Sequence, residues 1–234
     1  MMLLSTSLSL PESYTAKPYY LRKAPSNPAL RPMSQGANPF SDRGCLQALE
    51  LCGKYLLRAV ADKSDREARE GMMLAATLAG IAFGNAGVHV PHAVSYGASG
   101  HACNFHPGDG YPVNSTGKSA LIPHGMSVIL NAPAVFRFTA DACPERHLRA
   151  AAALGADIQG ATLQDGGEII ARHLISMLRA AGFPSGLSGV GFTSQDISNL
   201  TKSTLPQKRL LDNSPKHIGE AELELLFQQA MSYH

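Results

Sequence analysis

The spacing of apolar residues restricts this chain to a helical fold. From residue 42 onward, Leu, Ile, Val and Met recur three and four positions apart, the spacing that places side chains on one face of an α-helix. No run shows the alternation expected of half-buried strands. Caps and breakers divide the pattern into predicted helices at 42–61, 64–84, 88–97, 123–138, 144–155, 163–181, 194–203 and 219–233. We therefore predict an all-α helical bundle.

Several predicted helix starts depend on single residues. Ser64 followed by Glu67 has the pattern of a capping box, which would open the long Ala-rich helix. Pro123 fits the first turn of a helix that continues to Phe138, because proline lacks only an amide that such a turn leaves unbonded. Ser194 and Asp196 are typical cap residues and would open the helix at 194–203.

The first 40 residues differ from the rest in their proline content. Prolines at 11, 18, 25, 28, 32 and 39 each remove a backbone donor and block helix continuation. We predict an irregular Pro-rich N-terminal segment at 1–40 that lies over a surface, followed by a helical metal-binding domain at 41–234.

Charge and composition exclude some partners. The 20 basic and 18 acidic residues are scattered, so no basic stripe is available for nucleic acid. The uncharged stretch 71–88 approaches the length of a membrane span, yet it holds four glycines together with Thr77 and Asn85. We predict a buried helix there and no membrane partner. The four cysteines form no CxxC pair, which favours reduced, inert thiols over a disulfide framework.

A small group of histidines offers chemistry. His89, His92 and Tyr96 are spaced to share one side of a predicted helix, and His124 follows Pro123 at the start of another. Two imidazoles from separate helices can bind a divalent metal such as iron or zinc. Spacing alone leaves a second interpretation open, because a pair among nine histidines is more often hydrogen-bonded in a core. Two ligands are also fewer than most metal sites have.

A resemblance favours the metal. The stretch 84–138 is similar to the second signature region of the iron-containing alcohol dehydrogenases, in which a helix with a ligand histidine precedes a Pro-His-Gly turn with another. The resemblance implies that His92 and His124 are metal ligands. Tyr96 stands where the general family pattern has a further histidine, and we regard Tyr96 and His89 as candidate catalytic residues.

Further matches resemble the hydroxyacid-oxoacid transhydrogenase branch: Asn85-Ala-Gly-Val-His89, Pro144-Glu-Arg-His147, Glu12-Ser-Tyr-Thr15 and Thr204-Leu-Pro-Gln207. This resemblance implies the helical C-terminal domain that the family shares with dehydroquinate synthase. It also implies an oxidoreductase acting on small hydroxyacid and oxoacid substrates, namely 4-hydroxybutyrate with 2-oxoglutarate. The implied cofactors are iron or zinc, and NAD in the complete enzyme. The implied location is mitochondrial, although the first ten residues contain no Arg and do not resemble an import segment.

The chain also departs from the family. Ser9 and Ser5 hold the places of the family's first ligand histidine and its aspartate, and the nucleotide-binding half is missing upstream. Gly186, Gly189 and Gly191 do not replace its glycine-rich turn, because no strand precedes them, so we predict a loop. We expect a truncated chain that binds metal weakly and is catalytically poor alone. The alternative is a non-catalytic short isoform that associates with full-length subunits; a homo-oligomer is a further expectation.

Two other patterns carry less weight. His101, Cys103 and His106 lie close together in the sequence and suggest zinc, but they lack a fourth ligand and the usual spacing. Asn114-Ser-Thr fits a glycosylation sequon, although nothing else in the sequence indicates secretion.

Overall fold

The computed structural model describes residues 10–101, 105 and 121–233. Within these ranges the secondary structure is helical, with short 3-10 turns and one isolated bridge between Pro18 and Ala37. The predicted all-α class is confirmed. The α-helices are α1 (Leu10–Thr15), α2 (Pro39–Ala61), α3 (Arg66–Ala86), α4 (Val90–Gly100), α5 (His124–Ile129), α6 (Ala132–Thr139), α7 (Pro144–Ala153), α8 (Gly166–Ala180), α9 (Ile197–Thr204), α10 (Lys208–Leu211) and α11 (Glu220–Gln229).

Two hydrophobic cores lie side by side in the bundle. The first is built mainly from α2, α3, α7 and α8 around side chains such as Leu49 and Leu174. The second is built mainly from α4, α9 and α11 around Leu200 and Phe227. Helix α6 joins them, because Phe136 packs in the first core and its neighbour Val135 in the second. Truncating one of these large buried side chains to alanine would cost about 2–5 kcal/mol.

The close packing of α2 on α3 explains the Ala-rich sequence of α3. The buried face of α3 is mostly alanine, and at Gly71 an added Cβ would lie 2.3 Å from the ring of Tyr55. Helix α3 ends at Gly87, whose φ of +79° suits a residue without a side chain. The chain then turns by 102° into α4. This turn brings the first residues of α4 against α1.

The predicted helices at 42–61, 144–155 and 219–233 are confirmed, with shifts of a few residues at their ends. The predicted capping box at Ser64 is wrong. The Asp65 side chain caps α3 by accepting from the Ala68 amide at 3.0 Å, whereas the Ser64 hydroxyl donates to Asp62 at 2.6 Å. Glu67 is engaged by Arg58, at 2.9 Å.

The single helix predicted at 123–138 is two helices, α5 and α6. Pro133 has no amide hydrogen and disfavours helical geometry at the residue before it, so the helix is interrupted there. The side-chain amide of Asn131 donates to the Ser127 carbonyl at 2.7 Å, and so supplies a hydrogen-bond donor to one of the buried carbonyls at the break. The sequence pattern also missed α10, which has only four residues.

The irregular path predicted for residues 1–40 is wrong for part of this segment. Residues Leu10–Thr15 form α1, and Glu12 to Ala16 are buried rather than spread over a surface. Two 3-10 turns follow, at Tyr19–Leu21 and Pro28–Leu30, and α2 begins before residue 41 because Asn38 caps it. The proposed boundary between two regions at 40–41 stays a prediction.

Among the described residues, no single helix combines the length and apolar character needed to cross a membrane. Only α3 and α4 taken together meet that test, and they meet at the 102° bend. Glycines 186 and 191 have φ of +65° and +97° in a loop around a 3-10 turn, in agreement with the predicted loop.

Candidate metal centre

Helix α4 places His92 in its first turn. The residue before the helix, His89, offers no side-chain cap to the free amides of that turn. A buried carboxylate from another helix takes this part, because the Glu12 side chain of α1 points at the start of α4. The His92 side chain retains 13% of its accessible surface. One helix start therefore combines a buried anion with a partly open imidazole.

Glu12 binds both the backbone and the ring of this turn. Its Oε1 accepts from the His89 amide at 2.5 Å and from the His92 amide at 3.2 Å, and its Oε2 lies 2.6 Å from His92 Nδ1. Burial raises the pKa of Glu12, but the charge of His92 and these hydrogen bonds outweigh burial and lower the pKa overall. The carboxylate is thus ionised and can only accept. His92 then donates from Nδ1, and in the neutral form of the ring the lone pair of Nε2 is available to a ligand.

His124 lies beside His92 at the start of α5. The ring centroids are 5.2 Å apart, with an angle of 65° between the planes. Imidazoles that bind one metal at about 2.1 Å, with an angle of about 90–110° at the metal, have centroids about 4.5–5.2 Å apart. The centroid separation is therefore compatible with joint ligation, and the roles of His92 and His124 as ligands stay a prediction. Burial and then the nearby His92 lower the pKa of His124, and the neutral form that results is the form that binds metal.

Tyr96 lies on α4 and is partly exposed, whereas His89 precedes the helix and is buried. Tyr96 is on the same side of α4 as His92, 43% exposed, with its ring centroid 6.0 Å from that of His124. His89 lies outside the helix, so the predicted common face of His89, His92 and Tyr96 is wrong for His89. Its buried ring lies 3.3 Å from the Thr15 hydroxyl through Nε2, and its Nδ1 has no partner among the described groups. Catalytic roles for Tyr96 and His89 stay predictions.

A second buried histidine was missed as a structural feature. His147 on α7 has both ring nitrogens engaged, Nδ1 by the Cys143 carbonyl and Nε2 by the Thr139 hydroxyl, each at 3.0 Å. Burial lowers its pKa to about 4. Burial also raises the pKa of the Cys143 thiol to about 11 and that of Cys45 to about 12, so neither sulfur is a thiolate at neutral pH.

Glu12 is the site residue that sequence reasoning did not identify. Glu12 belongs to the segment Glu12-Ser-Tyr-Thr15 that resembles the family, but nothing in that segment indicated contact with His92. In the part of the chain that the structure describes, no cluster of three or more His, Cys, Asp or Glu side chains could hold a metal. The positions Ser5 and Ser9 lie outside the described residues. Of the alternative zinc group, only His101 is described, and its Nδ1 lies 3.0 Å from the Gly97 carbonyl.

This geometry defines a class: an all-helical domain in which two imidazoles, one from each of two helices, face each other beside a buried carboxylate. The family model described as Fe-containing alcohol dehydrogenase, C-terminal, matches residues 32–109 and 115–231. The chain belongs to the iron-containing alcohol dehydrogenase family and corresponds to its C-terminal domain.

Individual relatives agree with this assignment. The chain is 48% identical over 224 residues to the mitochondrial hydroxyacid-oxoacid transhydrogenase of Xenopus tropicalis and 46% identical to that of Homo sapiens. These alignments cover 95% of this chain and 47% of each relative, so the chain spans about half the length of the curated relatives it matches.

Solved structures show the same fold. A 1,3-propanediol oxidoreductase superposes with a TM-score of 0.76 at 26% identity, over 98% of this chain and 50% of the other. The alcohol dehydrogenase of Oenococcus oeni gives 0.75 at 23% identity, again over 98% of this chain and 50% of that one. The family implies a divalent metal and a nicotinamide-type cofactor in the full-length enzyme.

Proposed function

We propose that this chain supplies the metal-binding, substrate-facing half of a hydride-transferring oxidoreductase, with His92 and His124 as its metal ligands. The observation that carries the proposal is the pair of rings whose centroids are 5.2 Å apart, one of them oriented by Glu12. Iron is the metal that the family name supports, and zinc is the alternative because imidazole binds both. A bound divalent metal would supply Lewis acidity that lowers the pKa of a substrate hydroxyl.

The residues around the pair have distinct tasks. Glu12 keeps the proton of His92 on Nδ1 and fixes the ring plane, so that Nε2 faces the site with its lone pair. His124 lies at the exposed side of the pair, where a substrate can approach. We place Tyr96 at the edge of this approach, because its half-exposed ring lies 6.0 Å from His124.

We further propose the reaction that the names of the relatives indicate. Hydroxyacid-oxoacid transhydrogenases of 42–48% identity suggest a hydroxyacid and an oxoacid as the small-molecule substrates. The resemblance described above adds 4-hydroxybutyrate and 2-oxoglutarate as the specific pair. Hydride transfer between them requires NAD held by residues beyond those described here. The same names suggest a mitochondrial location. Association with further subunits, of this chain or of longer relatives, stays a prediction.

Metal binding can be tested directly on the 234-residue chain. We expect zinc or ferrous iron to bind with modest affinity, because two imidazoles supply fewer ligands than a complete site. His92→Ala and His124→Ala should each weaken binding by about 10-fold or more, since each removes half of the protein ligands. His217→Ala is the matched control, because His217 is exposed. Equal affinity in all four proteins, measured by calorimetry, would remove His92 and His124 from the site.

The reaction can be tested in a chimera. Residues 10–234 would replace the corresponding half of the Xenopus tropicalis relative, to which the chain is 48% identical, with the junction placed before α1. We expect the chimera to reduce 2-oxoglutarate with 4-hydroxybutyrate as donor, and His92→Ala to abolish this activity. A folded, metal-loaded chimera without transhydrogenase activity would contradict the proposed substrates while leaving the metal ligands intact.

A further inference from the structure

A basic groove is lined by residues other than those of the histidine pair. Its cationic lining comes from the chain after α1 and from α10, and its volume is about 430 Å³. That volume lies within the range of small-molecule sites. The floor between the charges is apolar, formed by two prolines and a leucine. The charged lining residues are Lys17, Arg22, Lys23, Arg209 and Asp212.

The positive charge of this groove is poorly compensated. Four cations face one carboxylate, Asp212. Within the described ranges none of the four makes an ion pair, whereas Arg58, Arg137 and Arg146 elsewhere in the fold are each paired with Asp or Glu. Like charges brought together in a concavity repel one another and attract a counter-anion.

Arg22 is the most informative member of the group. Its Nη1 donates to the Ser34 carbonyl at 3.0 Å and to Asn213 Oδ1 at 2.9 Å, and both acceptors are neutral. Burial lowers the pKa of this half-buried guanidinium, and Asp212 only partly opposes that effect. A partly desolvated cation without a hydrogen-bonded anion is unfavourable, and a bound anion would offset the cost.

Hydrogen bonds hold the Arg22 side chain and the neighbouring backbone of the groove in place. The side-chain amide of Asn213 donates to the carbonyls of Val88, at 3.1 Å, and Ala86, at 3.3 Å, while its oxygen receives Arg22. The backbone amide of Lys17 donates to the Asn213 carbonyl at 2.9 Å. This bond fixes the backbone from which the Lys17 side chain extends. Arg22 therefore does not need to be ordered by the ligand, and less conformational entropy is lost on binding.

We propose that this groove binds a small organic molecule with two or more negative charges. The cations neutralise its anionic groups, and the proline and leucine side chains contact its carbon skeleton. Dicarboxylates and phosphate compounds share this chemistry. The groove includes none of Glu12, His92 and His124, so the proposal does not depend on metal binding.

The test uses the full 234-residue chain with sodium pyrophosphate and sodium succinate as probes, and sodium chloride at matched ionic strength as reference. We expect one or both multiply charged probes to raise the thermal midpoint with saturation, and chloride to leave it unchanged. Tighter binding of pyrophosphate assigns a phosphate ligand, and tighter binding of succinate assigns a dicarboxylate. A shift that depends only on ionic strength would overturn the proposal.

Variants locate the binding. The double variant Lys23→Ala/Arg209→Ala removes two exposed cations without partners and should weaken the preferred probe by about 10-fold or more. Lys202→Ala removes one exposed cation outside the groove and should bind as the parent does. His124→Ala should also retain binding. Unchanged affinity in the double variant, or loss of binding in His124→Ala, would overturn the assignment.

Discussion

The histidines of α4 and α7 lie in contrasting surroundings. His147 is fully buried, and both of its nitrogens have protein partners. Among the described residues, the His92 ring has a hydrogen-bond partner at Nδ1 only, Glu12, and the side chain keeps 13% of its surface. Both are helical histidines in an apolar sequence context, so sequence position does not separate them. The free nitrogen does: a ring with two partners is part of the packing, and a ring with one oriented partner can bind a ligand.

The largest effect should come from removing the Glu12 carboxylate beside His92. Glu12→Ala leaves two buried backbone amides and the His92 ring without their acceptor, so we expect the free energy of unfolding to fall by about 3–5 kcal/mol. Urea denaturation measures this change. The control Glu50→Ala, at an exposed position of α2, should stay within about 0.5 kcal/mol of the parent. A loss below about 1 kcal/mol for Glu12→Ala would contradict the proposed capping role.

The stability contributed by the buried His147 should depend on pH. Burial lowers the pKa of His147 from 6.5 to about 4, so the folded state favours the neutral ring. Its stabilisation is complete above pH 6.5 and is lost as the pH falls toward 4, because the unfolded chain takes up the proton first. At pH 5 this one group should cost about 2 kcal/mol.

Comparing variants isolates that contribution. His147→Gln should lose less stability than the parent between pH 7.5 and pH 5, and the exposed variant His217→Gln should lose as much as the parent. Urea midpoints at the two pH values are sufficient. The same pH dependence in the parent and in His147→Gln would show that the buried ring does not control it.

A conservative change at Glu12 sharpens the contrast between His92 and His147. Glu12→Gln keeps the shape of the side chain but removes the charge that polarises His92, so zinc affinity should fall by about 10-fold. Thr139→Val alters the partner of His147 and should leave zinc affinity unchanged, although it weakens the fold. If Thr139→Val weakened metal binding as much as Glu12→Gln, the free nitrogen of His92 would not distinguish its role from that of His147.

The smallest effect is expected at Tyr96. Tyr96→Phe removes a hydroxyl from a half-exposed ring that lies beside His124, so unfolding free energy should change by less than about 0.5 kcal/mol. Zinc affinity should be unchanged, while turnover in the chimera reports any role of the hydroxyl toward substrate. A large loss of metal affinity would make Tyr96 a ligand.

Local patterns predicted much of this fold and part of its site. The helical spacing gave α2, α7 and α11 within a few residues, and it placed His124 at a helix start. Competition between nearby caps was harder to predict, as the replacement of Ser64 by Asp65 shows. The break before α6 required weighing Pro133 against a strong apolar pattern.

Long-range contacts could not be predicted in this way. Glu12 meets His92 across 80 residues of sequence, and neither residue has a local pattern that names the other. The same is true of His89, which leaves the helix because Gly87 and the 102° bend determine where α4 starts. Family resemblance supplied the pair His92 and His124, but only the coordinates show what orients them.

The two oxygens of Glu12 couple events that are usually separate. Because Oε1 accepts from the first amides of α4 while Oε2 contacts the ring of His92, we expect fraying of the helix end and tilting of the imidazole to be coupled. A metal ion that binds better to the ring held by Glu12 must then slow solvent exchange of the amide protons of His89 and His92. The free energy by which the ion stabilises the ordered helix start equals the free energy by which that order favours ion binding. Two backbone protons thereby become reporters of occupancy.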